Sequence, residues 1–567
     1  MGEEKKRLPV GLENFEQIIN DNYYYVDKTG LISELIRNGG MVNLFTRPRR
    51  FGKTLNMSML EHFFSIERDQ SIYDGLEISK DTKLCEEYMG KYPVISISLK
   101  GINAATYEDA FDFAVRIMKK VARNVQFLLG SDALSDYDKL EYKELLNNNM
   151  SEAAFCGGLK ILSELLEKHY GTKVVLLIDE YDVPLAKAFE NGYYDQMIFL
   201  IRSLLEQALK TNDSLKFAVM TGCMRISKES IFTGLNNLKV LSITDERYDE
   251  YFGFTDDEVR DMLHYYELDS DYETVKNWYD GYRFGKADVY CPWDVINYCS
   301  DHIEDPYLPP QNYWLNTSGN EMIYHFIDGL EDQMGVTKEE LELLVNGGSV
   351  QKNINQELTY KELYSSIDNL WSTLFMTGYL TSRSNTDGNR YDLVIPNREI
   401  RNIITEHILK LFKENIKQDG QKVNAFCDAL LTEKADVAEK LFSDYMQKTI
   451  SVRDTFVQKP TKENFYHGVL LGLLSHMENW AVWSNIESGE GYCDILLEVP
   501  ENRVGVVIEM KYAQEDRMEA ACTEALKQIE QRQYAARLKS DGMKNIVNYG
   551  IACYRKHCKV KIGKENS

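Results

Sequence analysis

The stretch of sequence that decides the fold is Arg47–Thr54, which has the sequence RPRRFGKT. It follows a short apolar run, Met41–Phe45, and precedes a segment of helical periodicity that starts at Leu55. A Gly-Lys-Thr between a strand and a helix is typical of a phosphate-binding loop, in which backbone N–H groups and the helix N-terminus surround an anion. In such a loop Lys53 contacts the terminal phosphates and the Thr54 hydroxyl binds Mg²⁺.

The loop departs from the GxxxxGK[ST] pattern at its first glycine, where this chain has Arg47. Because glycine often occupies backbone dihedral angles that other residues avoid, we expect Arg47 to alter the loop conformation. Nucleotide binding without efficient turnover therefore stays open. The three arginines Arg47, Arg49 and Arg50 have two interpretations, a solvated loop or added positive charge in a phosphate pocket.

The surrounding segments alternate between strand-like and helix-like patterns. Such alternation predicts an α/β fold with a parallel sheet and helices on both of its faces. After the loop, the predicted elements are a helix over Lys53–Phe64, a strand over Pro93–Leu99, helices over Tyr107–Ala122 and Gly158–His169, a strand over Val174–Ile178, a helix over Gln196–Lys210 and a strand over Leu215–Thr221.

The run Val174–Ile178 is continuously apolar, as expected for a buried central strand, and it ends in Asp179-Glu180. An acidic pair in this place predicts the second half of an ATPase site. Asp179 would then hold the Mg²⁺ shell, and Glu180 would polarise the attacking water. At the end of the next strand, Thr221 is expected to sense the γ-phosphate, and Arg225 to contact it.

The length, composition and charge of the chain limit its domain count, its localisation and its partners. Its 567 residues predict three or four domains of about 150 residues each. We expect a cytoplasmic protein with no membrane association, because no apolar run approaches the roughly 20 residues of a membrane span. The net charge is −24, yet Thr455–Ser567 carries 15 Lys and Arg against 15 Asp and Glu, so the C-terminal segment alone does not repel nucleic acid.

That C-terminal segment has its own acidic pattern. Asp494 begins one predicted strand, Cys493–Val499, and Glu509-Met-Lys511 ends the next. The pattern then predicts a single helix over Ala520–Lys539, a strand over Asn545–Cys553 and a basic tail, which consists of Arg555, Lys556, Lys559, Lys561 and Lys564. If the strands pair as a hairpin, Asp494 and Glu509 can share one Mg²⁺ or Mn²⁺, and Lys511 points to the same face as Glu509. This arrangement suits metal-assisted phosphodiester hydrolysis, with Lys511 orienting the nucleophile or stabilising charge. By itself, this pattern of charged residues at strand ends is also common on protein surfaces, where it serves only solubility.

Several separated motifs together carry a resemblance to a known family. They are Leu8-Pro-Val-Gly-Leu12, Tyr25-Val-Asp-Lys-Thr29, RPRRFGKT, LLIDEYD, the Gly222–Asn237 segment and WYDGYRFG. The chain resembles the bacterial AAA-ATPase-like family, in which a P-loop ATPase precedes a PD-(D/E)XK nuclease-like domain. In that family RPRRFGK[ST] itself replaces the full loop pattern, so Arg47 resembles a family trait.

The resemblance implies three regions. These are an AAA-ATPase-like P-loop domain with an N-terminal arm (1–248), a helical lid with winged-helix character (249–454) and a restriction-endonuclease-like α/β domain (455–567). It also implies that the nucleotide contacts come from Arg50, Phe51, Gly52, Lys53 and Thr54. On the helix before the C-terminal hairpin, Glu478 is expected to add a carboxylate to the metal shell, and His467 is expected to pack or cap its helix. On the following helix, Gln528 and Tyr534 resemble auxiliary residues of related nucleases.

The function expected from these features is ATP binding and hydrolysis coupled to a Mg²⁺-dependent nuclease that acts on DNA. An alternative of a different class is a nucleotide-controlled switch or scaffold whose C-terminal domain binds nucleic acid or a protein partner without cutting. ATP and DNA are the expected partners, and assembly into a homo-oligomer stays open.

Overall fold

The computed structural model describes most of the chain. It describes residues 5–66, 68–210, 212–225, 237–314, 340–341, 343–345, 347–363, 366–405, 420–449, 459–474, 477, 480–488, 491–500 and 502–563. The chain divides into two compact units. The first unit consists of Met1–Thr317 with Gln351–Ile400, and the second consists of Ser318–Val350 with Arg401–Ser567. The division at 248 and 454 stays a prediction.

The first unit is built on a five-stranded sheet whose neighbouring strands are all parallel. The strands are β1 (Val42–Thr46), β2 (Val94–Ser98), β3 (Val174–Asp179), β4 (Leu215–Gly222) and β5 (Leu238–Leu241), in the spatial order β2-β3-β4-β1-β5. Every residue of β1 and β3 is buried, which explains the continuous apolar run of β3. The parallel sheet predicted from the alternating pattern is confirmed.

Nine helices of the described chain precede or connect these strands. They are α1 (Phe15–Asn20), α2 (Gly30–Asn38), α3 (Lys53–Phe64), α4 (Thr82–Tyr88), α5 (Tyr107–Asn124), α6 (Asp136–Leu145), α7 (Glu152–Tyr170), α8 (Val183–Asn191) and α9 (Tyr194–Leu209). Short 3₁₀ turns lie at Gln70–Tyr73, Glu77–Lys80 and Gln126–Gly130. Helix α7 begins before the predicted start at Gly158, because the Ser151 side chain accepts a hydrogen bond from Ala154 N and caps the helix there.

The remainder of the first unit combines helices with two small sheets. Its helices are α10 (Asp256–Tyr266), α11 (Tyr272–Tyr279), α12 (Pro292–Glu304) and α13 (Ile367–Thr377), with a 3₁₀ turn at Asp269–Asp271. Strands β6 (Tyr282–Phe284) and β7 (Ala287–Val289) form a hairpin, and β8 (Val350–Asn353), β9 (Thr381–Asp387) and β10 (Arg390–Val394) form a sheet in the order β8-β10-β9. The winged-helix character of this region stays a prediction.

The second unit contains a mixed five-stranded sheet with neighbours in chain order. Its strands are β11 (Ala481–Ser488), β12 (Gly491–Val499), β13 (Val504–Tyr512), β14 (Asn545–Tyr554) and β15 (His557–Gly563), and only the β13–β14 pair is parallel. Its helices are α14 (Gly420–Leu431), α15 (Ala435–Thr449), α16 (Lys459–Leu474), α17 (Met518–Gln531) and α18 (Ala536–Ser540), with a 3₁₀ turn at Glu515–Arg517. Helix α17 crosses over between the two parallel strands and packs on both.

The C-terminal end of the chain differs from its predicted pattern in two places. The single helix predicted over Ala520–Lys539 is wrong, because the chain breaks between α17 and α18, where Gln533 has a left-handed φ of 54°. Strand β15 was not predicted. Two lysines of the basic tail lie in it, and they pair with acidic side chains of the same unit, Lys559 with Glu439 and Lys561 with Glu519.

Among the helices that the structure describes, none combines the length and the apolar character needed to cross a membrane.

Candidate functional site

The carboxyl ends of β1, β3 and β4 bring the candidate nucleotide-binding residues together. Strand β1 pairs with β4 up to Thr46 opposite Gly222, and β3 pairs with β4 up to Ile178 opposite Met220. Because all three strands run in the same direction, the segments that follow them emerge at one edge of the sheet. This is the edge where sheets of this kind bind ligands.

The loop after β1 turns into helix α3 at Gly52, which has a φ of 75° and precedes the helix directly. No atom lies within 4 Å of the position a Gly52 side chain would take, so the surface there is open backbone. Lys53 Nζ donates hydrogen bonds to the carbonyl oxygens of Arg47 (3.1 Å) and Pro48 (2.8 Å). The lysine therefore lies folded across its own loop, with its ammonium held beside the helix N-terminus.

Two hydroxyl groups converge on Asp179. Thr54 Oγ1 donates to Asp179 Oδ2 over 2.8 Å, and Thr221 Oγ1 donates to Asp179 Oδ1. The Thr54 hydroxyl and the Asp179 carboxylate are the oxygen ligands that Mg²⁺ prefers, and they stand side by side. The residues present therefore fit a magnesium ion, and Thr221 links the carboxylate to the end of β4.

Glu180 follows with an unusual backbone conformation. Its φ is 51°, a left-handed value that is uncommon outside glycine, and its N–H donates to Thr221 Oγ1 over 3.3 Å. Burial raises the pKa of the Glu180 carboxyl, while the Lys53 ammonium acts in the opposite direction. This is the electrostatic setting of a carboxylate that handles a proton.

Arg47 fits neither interpretation considered for the loop arginines. Its side chain is fully buried and turns away from the loop opening. The guanidinium donates to the carbonyl oxygens of Thr46 (2.9 Å), Leu241 (2.8 Å) and Tyr248 (3.3 Å). It also lies over the ring of Phe252, 5.0 Å from the centroid. Burial lowers the pKa of Arg47 to about 10, so it remains a cation.

The side chains of Arg50 and Phe51 also point away from the loop opening. The Arg50 guanidinium lies 4.0 Å from the centroid of the Trp293 ring. Phe51 is fully buried, with its ring 4.9 Å from those of Tyr282 and Phe284. Only the backbone of these two residues faces the loop, so their predicted contact with nucleotide stays a prediction that rests on their N–H groups.

Arg225 and Asp182 complete this edge of the sheet. Arg225 forms an ion pair of 3.0 Å with Glu357, so its predicted contact with the γ-phosphate stays a prediction. Sequence reasoning missed Asp182, whose Oδ2 accepts hydrogen bonds from Cys223 N (2.8 Å) and Met224 N (3.0 Å). It thereby holds the chain after β4 against the chain after β3. The sequence signal that could have identified Asp182 was its position three residues after Asp179 in the LLIDEYD motif.

The second unit holds the acidic candidate site. Strands β12 and β13 pair in antiparallel register, with Ile495 opposite Ile508, so that Asp494 and Glu509 lie one step further along adjacent strands. Asp494 Oδ2 accepts from Met510 N over 2.7 Å, and Glu509 Oε1 accepts from Lys511 Nζ over 2.9 Å. The hairpin expected from the sequence thus brings all three predicted side chains together.

Glu509 is the most constrained member of this group. Its side chain is almost fully buried, and its Oε2 has no hydrogen-bond partner among the described residues. Burial, with a further contribution from the Asp494 charge, raises the pKa of Glu509 to about 7. A buried carboxylate oxygen without a donor, beside a second carboxylate, fits a divalent cation. Within the described ranges, no group of three or more His, Cys, Asp or Glu side chains is placed to hold a metal.

The auxiliary residues differ in what they contact. Gln528, on α17, donates through Nε2 to Glu509 Oε1 and lies 3.3 Å from the Tyr534 hydroxyl, so both join the acidic site. Glu478 lies outside the described residues. His467 is buried on α16, and its Nε2 lies 2.9 Å from the carbonyl oxygen of Asp494, a contact to the site's backbone that the sequence did not indicate.

Comparison with known proteins finds a family model for each of the two regions that contain the candidate sites. The family model described as predicted AAA-ATPase matches residues 9–232, and the model of the PD-(D/E)XK nuclease superfamily matches residues 461–562. The chain is also 27% identical over 455 residues to a curated protein of Azotobacter chroococcum mcd 1 named "Uncharacterized protein in vnfD 5'region". That alignment covers 78% of this chain and 77% of the relative.

We expect that replacing Arg47 with methionine lowers the stability of the protein by about 3 kcal/mol, because three buried carbonyl oxygens lose their donor. Arg123, near the end of α5, is exposed and gives a control of the same residue type, for which Arg123→Met is expected to change stability little. Thermal melting of the two variants beside the wild type measures the difference. Equal losses in both would contradict the structural role assigned to Arg47.

A second expectation concerns the pH dependence of stability at Glu509. The pKa of Glu509 is about 7 in the folded protein, above the ordinary value of about 4.5 expected in the unfolded chain, so the folded state binds the extra proton between these values. Stability from this group is therefore full below about pH 4.5 and is lost as pH rises to about 7. The glutamine of the Glu509→Gln variant cannot ionise. The melting temperature of this variant should therefore rise relative to that of the wild type when the pH is raised from 4.5 to 8 in EDTA.

The matched control for this measurement is Glu515→Gln, at an exposed glutamate of the same unit. Its melting difference from wild type should not vary with pH in the same direction. A Glu509→Gln difference that is constant across the pH range would show that the carboxyl does not titrate in this window.

Proposed function

We propose, from a predicted AAA-ATPase domain and a PD-(D/E)XK nuclease superfamily domain in one chain, that this protein binds and hydrolyses ATP and cleaves DNA phosphodiester bonds. The observation that supports the proposal most directly is the buried carboxylate of Glu509, which Lys511 and Gln528 both contact and which lies across the hairpin from Asp494. Such a group is unnecessary for folding, because burying a carboxyl costs stability unless its charge is used.

At the nucleotide site, the N-terminus of α3 and the backbone N–H groups of the loop would bind the phosphates. Lys53 would exchange its two loop carbonyls for phosphate oxygens, which are stronger acceptors because they carry charge. Thr54 and Asp179 would hold Mg²⁺, and Thr221 would report the phosphate state through its bond to Asp179. Glu180 would accept a proton from the attacking water, a role favoured by its raised pKa.

At the nuclease site, Asp494 and Glu509 would hold Mg²⁺ or Mn²⁺. The bound ion would supply positive charge against the scissile phosphate and lower the pKa of a water molecule. Lys511 would orient the nucleophile or stabilise the developing charge. Gln528 restrains Glu509 through Oε1, which leaves Oε2 to face the ion.

The proposal extends to the remaining features of the chain. It places the protein in the bacterial cytoplasm, divides the chain at about residues 248 and 454, and leaves open assembly into a homo-oligomer. DNA is the proposed substrate of the nuclease domain, and ATP is the proposed regulator of its access to that substrate.

For the ATPase, we expect Lys53→Ala to weaken ATP binding at least about tenfold, since it removes the cation of the loop. We expect Glu180→Gln to bind ATP normally but to turn it over about 100-fold more slowly, since it removes the proton acceptor. Equilibrium titration and phosphate release measure these two quantities. Lys91→Ala, at an exposed lysine, is the control, and unchanged affinity in Lys53→Ala would refute the loop assignment.

For the nuclease, we expect Asp494→Ala and Lys511→Ala each to lower metal-dependent cleavage of plasmid and single-stranded DNA about 100-fold or more. Asp516→Ala, an exposed acidic residue of the same unit, should cleave like the wild type. Equal activity in all variants would contradict the site. A wild type that binds DNA but never cleaves it, with any metal or nucleotide, would instead support the switch or scaffold.

A further inference from the structure

The side chains of the phosphate loop contact residues from later parts of the chain. Arg47 is held by carbonyl oxygens and aromatic rings, as described above. Pro48 lies against Gly378 so closely that a side chain at Gly378 would approach the proline ring to 3.0 Å. Phe51 is enclosed by aromatic rings of the β6–β7 hairpin. Arg50 is the loop residue that lies beside two buried carboxyl groups.

Beside Arg50 lie two buried carboxyl groups, Asp294 and Glu399, here called the acid pair. Asp294 is in the first turn of α12, Glu399 lies in the turn of helix after β10, and both are 0% exposed. Glu399 Oε1 accepts from Trp314 N over 2.7 Å. The structure's described residues provide no hydrogen-bond donor for either oxygen of Asp294 or for Glu399 Oε2.

The two carboxyl groups of the acid pair are near enough to hydrogen-bond to each other. Carboxylates only accept hydrogen bonds, so a bond between them requires a proton. Burial raises the pKa of both groups, and the charge on Asp294 raises the pKa of Glu399 further. Both directions favour retention of a proton, and a shared proton leaves the acid pair with a single negative charge.

Arg50 is the cation that faces this charge. Its guanidinium lies on the ring of Trp293, the residue adjacent to Asp294, and it stabilises the charged form of both carboxyls. Its Nη1 is buried without a hydrogen-bond partner among the described residues. The other titratable groups around the pair are the Cys291 thiol and the hydroxyls of Tyr279, Tyr282 and Tyr313, which are neutral because burial raises their pKa values.

The backbone of Arg50 also depends on these contacts. Its φ is 70°, a left-handed value that costs a residue with a side chain about 1 kcal/mol or more. Such a conformation persists only where surrounding interactions hold it. The stacking on Trp293 and the attraction to the acid pair are interactions of this kind, and they act two residues before Gly52.

We propose that the acid pair is a single-charge anchor for Arg50, which positions the phosphate loop so that ATP affinity requires the pair to keep one negative charge. This inference rests on the proposed nucleotide site. Asp294 and Glu399 are then positioning residues that act through Arg50 and do not touch the nucleotide. The backbone of Arg50 then faces the phosphates, and its side chain faces the acid pair.

Amide substitutions separate charge from packing, because asparagine and glutamine keep the shape of the acids. In Glu399→Gln the amide replaces the protonated carboxyl, and Asp294 keeps the one negative charge. The double variant Asp294→Asn/Glu399→Gln has no charge and leaves Arg50 without its anchor. Arg50→Met removes the other member of the interaction.

The experiment measures ATP affinity and melting temperature for these variants at pH 7.5. We expect the single variant to bind ATP within about twofold of wild type, and the double variant and Arg50→Met to bind about tenfold more weakly. Asp288→Asn, an exposed acid on β7, is the control and should bind like wild type. A single variant as weak as the double variant would overturn the proposal.

Melting without nucleotide provides a readout that packing alone would not reproduce. The double amide substitution should lower the melting temperature when Arg50 is present, and raise it in the Arg50→Met background, where it relieves an uncompensated buried charge. The proposal would be overturned if the double amide substitution changed the melting temperature in the same direction with and without Arg50, or if the triple variant did not fold. If the sign reverses but wild type does not bind ATP, the anchor stands and the proposed nucleotide site fails.

Discussion

The buried guanidinium of Arg47 is the interaction on which the proposed nucleotide site of the first unit depends. It joins the end of β1 to the end of β5 and to the chain at Tyr248 by donating to three carbonyl oxygens. A buried cation is costly unless each donor finds an acceptor, so the loop cannot move without breaking these bonds. The residue that replaces the usual glycine therefore serves as an internal brace, and the open surface needed for phosphate is kept at Gly52 instead.

Around this brace, charge is confined to a few buried places. Lys53 lies on its own loop carbonyls, Asp179 is saturated by two hydroxyl groups, and Arg50 faces the acid pair. Lys53 and Asp179 thus have substitutes for the ligand or the ion that would otherwise satisfy them, whereas Arg50 keeps its partners. Binding of a nucleotide would then exchange one set of partners for another, which needs less reorganisation than creating charge in an apolar pocket.

The acidic site of the second unit follows the same physical logic with a simpler construction. A five-stranded sheet and one crossover helix place Asp494, Glu509 and Gln528 within reach of one another. Burial keeps Glu509 close to half protonated near neutral pH, since its pKa is about 7. A bound cation would favour the ionised form, so metal binding and proton release are coupled at this residue.

Much of this could be predicted from the sequence. Apolar runs that end in polar residues located β1, β3 and β4, and the strand-turn-strand pattern located Asp494 and Glu509 on one hairpin. Local patterns carry this information because strand periodicity and turn residues act over a few positions. Strand β15 and the break before α18 were missed, because a basic strand at the chain end and a left-handed glutamine leave no clear local signal.

The sequence by itself determined the fold class, the two acidic motifs and the Gly-Lys-Thr of the loop, since each depends on residues close together in the chain. Only the tertiary structure decided where the loop arginines point. Arg47 meets carbonyls near positions 241 and 248, and Arg50 meets carboxyls at positions 294 and 399, so their roles depend on contacts separated by roughly 200 residues or more. Side-chain direction at such distances is set by burial and pairing, which no local pattern encodes.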